Sequence, residues 1–310
     1  MSQHTVITLS TIPPRFDRLG AALDSLLAQT LPASEIRLYI PDSYRRFRDW
    51  DGTLPALPDG VTIHRCDKDF GPATKVLPAA RDLRGRDVDI LFCDDDKVYD
   101  PEWHQRFKDA RAAHPDACIV EAGETFPDIA DSSRPSDRLP RAHRRKRDWR
   151  YRSVRALTLT LYKPFMYVNS GFVDQISGYG GVMLRPEWLD DAAFEIPDVL
   201  WTVDDPWISG HLERAGVPIW LNAGGKRPGD LQYGHSHSLQ KLVEQGHDRV
   251  KADVAAIDYF RDAYNIWKPT SGPHDGLDLL KLRNSTASMF ALAQRARDRA
   301  SSTETSVPGE

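Results

Sequence analysis

Apolar positions fall at two alternating periods along the first two thirds of the chain. Short runs rich in β-branched and apolar residues, Thr5–Ser10, Glu35–Ile40, Val61–Cys66, Val88–Cys93 and Ala117–Glu121, read as strands bounded by Pro, Gly or charged clusters. Between them Leu19, Ala22, Leu23, Leu26 and Leu27 form a stripe at helical spacing. A second helix is expected over Ala73–Leu83, entered through Gly71-Pro72, and a third from Pro101 to about Ala113, with Asp100 as its N-cap. Strands alternating with helices predict an α/β fold whose central sheet is mostly parallel, with right-handed crossovers and flanking helices.

The pattern loosens after Glu124. Ser177–Leu184 reads as a loop running into a strand, and its glycines suit either close backbone approach to a ligand or a tight turn. A helix then opens at Asp204-Asp205-Pro206-Trp207, with Asp205 the expected N-cap and Pro206 the first helical residue. The expected organisation is one main domain over 1–235, carrying a basic insert at about 127–165. A C-terminal helical extension over 236–300 and a polar, disordered tail over 301–310 follow.

Composition changes this picture little. Hydrophobic content of 40% and charged content of 28% are ordinary for a soluble domain. A net charge of −4 gives no global attraction to nucleic acid, so no nucleic-acid partner is expected. There is no apolar stretch long enough to span a bilayer and no secretory h-region near Met1, so the expected location is cytoplasmic. Cys66, Cys93 and Cys118 sit in or beside strand-like runs without metal-ligand spacing, and read as buried thiols. Residues 134–155 hold ten basic side chains against two acidic ones, with Trp149 and Tyr151 interleaved. A solvated loop is the plain reading; contact with an acidic acceptor, or with anionic lipid at the inner face of a membrane, is the functional one.

The chemistry is concentrated where the Val88–Cys93 run ends in Asp94-Asp95-Asp96. Ligands of open α/β sheets gather at the carboxyl ends of the strands. Three adjacent carboxylates there repel one another unless a cation neutralises them, and oxygen ligands suit Mg²⁺ or Mn²⁺. Asp204-Asp205 forms a second acidic pair at a helix N-terminus, where the dipole keeps a carboxylate ionised, as a general base requires.

Four segments, in order, resemble the nucleotide-sugar glycosyltransferases of the GT-A fold, close to family 2 and its bacterial polysaccharide-building relatives. They are Ser10-Thr11-Ile12-Pro13-Pro14-Arg15; Asp67-Lys68-Asp69-Phe70-Gly71-Pro72-Ala73-Thr74-Lys75; the Asp94-Asp95-Asp96 cluster, matching the family's Asp-x-Asp; and Gly178-Tyr179-Gly180-Gly181 followed by Val203-Asp204-Asp205-Pro206-Trp207-Ile208-Ser209. The resemblance implies a metal-dependent transfer of a sugar from a nucleotide-diphosphate donor, such as a UDP-sugar, to a glycan or related hydroxyl acceptor, with inversion. It places Thr11, Arg15, Lys75, Asp94, Asp95, Gly180 and Gly181 at the nucleotide-sugar, and Asp42 at the base. Asp96 with His235 (or His237) would bind Mn²⁺ or Mg²⁺. Asp205 would be the base, with Asp204 in place of the family's Glu. Two readings of other classes stay open: a metal-dependent phosphohydrolase acting on a nucleotide or sugar phosphate, and a non-catalytic glycan-binding protein.

Overall fold

The computed structural model describes residues 4–145, 149–158, 165–231 and 249–270. The strands are β1 His4–Ser10, β2 Glu35–Pro41, β3 Val61–Cys66, β4 Val88–Phe92, β5 Lys97–Val98, β6 Cys118–Val120 and β7 Gly123–Glu124. Further along come β8 His143–Arg144, β9 Tyr167–Asn169, β10 Gly171–Val173, β11 Gln175–Ile176, β12 Val182–Leu184, β13 Ile219–Leu221 and β14 Gly229–Asp230. The helices are α1 Gly20–Leu27, α2 Leu77–Asp82, α3 Trp103–Ala113, α4 Trp149–Leu157, α5 Asp205–Arg214 and α6 Arg249–Tyr264.

Eight strands form the central sheet in the order β10-β13-β6-β12-β4-β1-β2-β3. The β3-β2-β1-β4 half is parallel, as strands separated by helices must be. β12 then inserts antiparallel between β4 and β6, with Met183 facing Leu91 on one side and Ile119 on the other. β13 pairs parallel with β6, and β10 antiparallel with β13. The sheet is therefore mixed and mostly parallel.

Both faces of this sheet are covered, and the strand period of two sorts the core accordingly. Ile90 and Phe92 of β4 face a layer with Leu77, Trp207 and Phe260, supplied by α2, α5 and α6. Leu91 and Cys93 face the opposite layer, with Leu23 and Leu26 of α1 and with Trp103 and Phe107 of α3. Cys66, Cys93 and Cys118 are buried and free. α6 belongs to the same core as the sheet, since Tyr259 and Phe260 pack on Trp207. The rest of the expected C-terminal extension and the tail lie outside the described residues.

Two helices differ from expectation in ways that place the site. The segment 73–83 is broken into a 3₁₀ turn, Gly71–Lys75, and α2, with Val76 between them at φ −131°. Pro78 explains the break: it lacks the N–H that would donate to Thr74, and its ring clashes with that carbonyl. Lys75 is thereby set at the carboxyl end of the sheet, where the Thr8 hydroxyl donates to its carbonyl oxygen at 2.7 Å. In α3 the regular turns begin at Trp103, after Glu102, and the Asp100 carboxylate pairs with Arg106 at 2.6 and 2.7 Å. Among the described residues no helix is long and apolar enough to cross a membrane.

Candidate functional site

A cavity of about 480 Å³ opens at the carboxyl ends of β1, β2 and β4, a volume within the range of small-ligand sites. Residues Asp94, Asp95 and Asp96 line one wall, Asp204 and Asp205 another, and Lys75 lies between them. Acidic and basic side chains line it in nearly equal numbers.

Each carboxylate of the triple cluster faces a different cation of the protein. Lys75 Nζ lies 2.7 Å from Asp94 Oδ1 and 2.8 Å from Asp204 Oδ2, joining the two acidic walls. Burial alone pushes this ammonium down, but Asp204, Asp94 and Asp205 outweigh it and the net shift is upward, so Lys75 stays charged. Asp95, 5% exposed, accepts from Thr11 Oγ1 at 2.6 Å and from Arg15 Nη1 at 2.5 Å. Burial raises its carboxyl, with Arg15 and Thr11 pulling the other way. Asp96 pairs with Lys97 Nζ at 2.8 Å and, more loosely, with Arg15 at 3.5 Å.

The second acidic pair is arranged differently from expectation. Asp204 occupies the N-cap of α5, makes no side-chain cap bond, and is 2% exposed against Lys75. Asp205 is already the first helical residue. Its Oδ1 accepts from the Gly178 N–H at 2.8 Å, so the carboxylate is anchored to the glycine loop and does not cap its own helix. That loop is held from behind: Trp103 Nε1 donates to Gly180 O at 2.9 Å, and the Tyr99 hydroxyl donates to Tyr179 O at 3.2 Å. The same hydroxyl accepts from the Asp94 N–H at 3.2 Å. The first turn of α3 and Tyr99 thus fix the glycine loop and the acidic turn to one another.

Other expected site residues stand elsewhere. Asp42 pairs with Arg65 at 3.0 Å, its side chain 60% exposed, and does not line the cavity. Gly180 and Gly181 lie behind the cavity wall, against Ala122 and Trp103; Gly178 and Tyr179 face inward in their place. His235 and His237 lie outside the described residues. Several lining residues had no assignment in the sequence: Asp69, whose two oxygens accept from Arg45 N and Gly71 N at 2.8 Å, and Tyr44, Arg46, Phe47 and Trp201. Lys97, Arg227 and Asp230 complete the wall beside Asp96. Asp69 sits inside a segment that carries the family resemblance, and Lys97 directly follows Asp96, so those two were within reach of the sequence. Arg227 and Asp230 arrive only through the β5–β14 pairing, in which Lys97 faces Asp230.

The described basic side chains of the insert are largely committed internally. Arg134 and Arg141 both pair with the buried Asp174, the latter at 2.8 Å. Arg144 pairs with Glu124 at 2.7 Å and also lines the cavity. Arg145 donates to Phe165 O at 3.1 Å. Lys146 and Arg147 lie outside the described residues.

The resemblance implies a divalent ion at Asp96, and the described residues do not fit one. A hard cation takes oxygen ligands whose charge it neutralises, but Asp94 and Asp95 accept hydrogen bonds from Lys75 and Arg15, and the Lys97 ammonium already stands 2.8 Å from Asp96 Oδ1, an oxygen that accepts no hydrogen bond. Among the described residues no group of three or more His, Cys, Asp or Glu is placed to hold a metal.

No protein-family model matches the chain, and no curated protein does. Solved structures resemble it over most of its length. The 1–349 segment of S. aureus TarS is 11% identical, covering 95% of this chain and 82% of that one, with a TM-score of 0.43. The same segment in complex with UDP is 12% identical, covering 93% and 71%, with a TM-score of 0.45. In complex with UDP-GlcNAc it is 12% identical, covering 95% and 83%, with a TM-score of 0.44.

Proposed function

We propose that the protein transfers a sugar from a nucleotide-diphosphate donor to a hydroxyl of a glycan or related acceptor. The observation that carries this reading is the Asp94–Lys75–Asp204 bridge: one buried ammonium ties the strand-end acids to the start of α5, so Asp205 faces the same cavity as Asp94–Asp96. The strand-end wall suits a nucleotide-sugar, as ligands at such a position do. Asp205, fixed by the Gly178 N–H, is a carboxylate of set orientation beside that wall. It takes the proton of the acceptor hydroxyl as the hydroxyl oxygen attacks the sugar C1 from the face opposite the leaving diphosphate. A single displacement of that kind inverts the anomeric centre.

Arg144 marks the acceptor side, since it alone of the described residues in the densest basic run lines the cavity. Just beyond it, Trp149 (71% exposed) and Leu157 (84%) of α4 stand in solvent close in sequence to further basic positions. An acidic acceptor, or the surface of an anionic membrane that carries one, suits this combination.

The deciding experiment is a donor screen with UDP-, GDP- and dTDP-sugars, following release of the nucleoside diphosphate with and without glycan acceptors. Acceptor-stimulated release supports transfer. Release of a nucleoside monophosphate with sugar 1-phosphate instead would establish a phosphohydrolase, and sugar binding with no turnover of any donor a glycan-binding protein.

A further inference from the structure

Asp230 holds two cations on the cavity wall. Its Oδ1 lies 3.0 Å from Lys97 Nζ, and its Oδ2 accepts from Arg227 Nη2 at 3.0 Å. Lys97 reaches at the same time to Asp96 Oδ1 at 2.8 Å. Backbone pairing fixes this geometry, because Lys97 faces Asp230 across the β5–β14 ladder and Leu231 N donates to Asp96 O at 3.0 Å. An ammonium has three N–H donors, and the Lys97 side chain, 14% exposed, lines the cavity from its place between the two carboxylates.

We propose that Lys97, seconded by Arg227, is the resident cation of this site, facing Asp96 and Asp230 where a divalent ion would otherwise be required, and that the two receive the diphosphate of the donor directly. The inference rests on the nucleotide-sugar reading above and departs from that family's metal dependence. Physically, a divalent ion has to expel Lys97 from Asp96 and leave a partly buried ammonium with one partner fewer. A phosphate oxygen can instead be added to the ammonium without breaking either existing contact. In the transfer step the bond between C1 and the diphosphate oxygen breaks, and its electron pair stays on that oxygen. Lys97 and Arg227 meet the charge that develops there, while the acceptor oxygen bonds to C1 and its proton passes to Asp205.

The test is calorimetric titration of UDP, GDP and dTDP into the full chain in EDTA and in Mn²⁺, with Lys97→Met and Lys97→Arg beside the wild type. The wild type is expected to bind one of these nucleotides in EDTA, with affinity changed by no more than about threefold on adding Mn²⁺. Lys97→Met in EDTA should bind roughly 10- to 100-fold more weakly, the worth of one charge-assisted hydrogen bond, and Lys97→Arg should recover much of the loss. Wild-type binding that needs Mn²⁺ or Mg²⁺ overturns the inference but leaves the transferase reading standing. So does undiminished binding by Lys97→Met in EDTA. No binding of any of the three nucleotides, with or without the ion, overturns the transferase reading and this inference together. If Lys97→Met does not fold, the wild-type arm still decides metal dependence and Arg227→Met in EDTA decides the role of the cations: weaker binding supports the inference, and undiminished binding overturns it.

Discussion

At the scale of single residues, Asp205 carries the sharpest consequence. A capping carboxylate and a catalytic one are hard to tell apart in sequence, because Asp before Pro at a helix start serves both. The structure separates the roles: α5 begins at Asp205 itself, and its Oδ1 is spent on Gly178 across 27 residues of chain. Asparagine keeps the acceptor oxygen for that bond and loses only the ionisable group. Asp205→Asn should therefore melt at the wild-type temperature and bind nucleotide normally, while transfer falls by about 10²- to 10⁴-fold. An enzyme that stays fully active with this change places the base elsewhere. Gly181 is the other informative position. It sits at φ +94°, ψ 149°, and a Cβ there would stand 2.5 Å from the Trp103 ring. Backbone strain and overpacking add, so Gly181→Ala should lose about 2–5 kcal/mol in a urea unfolding curve. A loss within experimental error would mean that Trp103 yields easily and does not hold the loop.

At the scale of elements, the break between the 3₁₀ turn and α2 matters most. The apolar spacing predicts a continuous amphipathic helix over 73–83, which would leave Lys75 on an ordinary helix surface. Pro78 interrupts the helix, and Lys75 becomes a buried strut between the end of β4 and the start of α5. Removing the ammonium leaves the buried Asp204 without this partner. Lys75→Met should destabilise the fold by about 3–5 kcal/mol, as the loss of one partner of a buried ion pair does. Chemical denaturation monitored by tryptophan fluorescence measures it, and a neutral result would show that the strut is dispensable. The basic insert teaches the converse lesson. Its charge run looked available, yet Arg134 and Arg141 are consumed by Asp174, which lies far along the chain.

For the whole molecule, the remaining question is what meets the face around α4. Trp149 and Leu157 are exposed, as are Phe165 at 49% and Val168 at 62%, next in sequence to a strongly basic stretch. Aromatic residues favour the headgroup level of a bilayer, and each basic residue near an anionic surface adds about 1 kcal/mol. The full chain should sediment with phosphatidylserine-containing vesicles at low salt. Release is expected as salt shortens the screening length to about 3 Å at 1 M, and weaker binding when Trp149 and Leu157 are both changed to Ser. Absence of binding at low salt would leave the acidic-acceptor role for Arg144 or a solvated loop.

The sequence by itself determined the first four strands, α1 and the positions of the two acidic clusters. Strand periodicity, helical stripes and Pro or Gly punctuation are local properties, so β1 to β4 and the turn of three aspartates were legible to within a residue or two. It also determined that three adjacent carboxylates need positive charge close by. Only the tertiary structure decided where that charge comes from. Thr11 and Asp95 are 84 residues apart, and Lys75 and Asp94 are 19 apart; both pairs meet because parallel crossovers bring the carboxyl ends of β1 and β4 side by side. The antiparallel entry of β12 and the β5–β14 pairing are likewise matters of strand partnership, which no local pattern encodes. The β5–β14 pairing brings Arg227 and Asp230 into the cavity wall beside Lys97, while Asp42 is held at the edge by Arg65 of β3. Ionic pairing acts over a few ångströms in space whatever the separation along the chain, and so the neutralising cations were fixed by the fold.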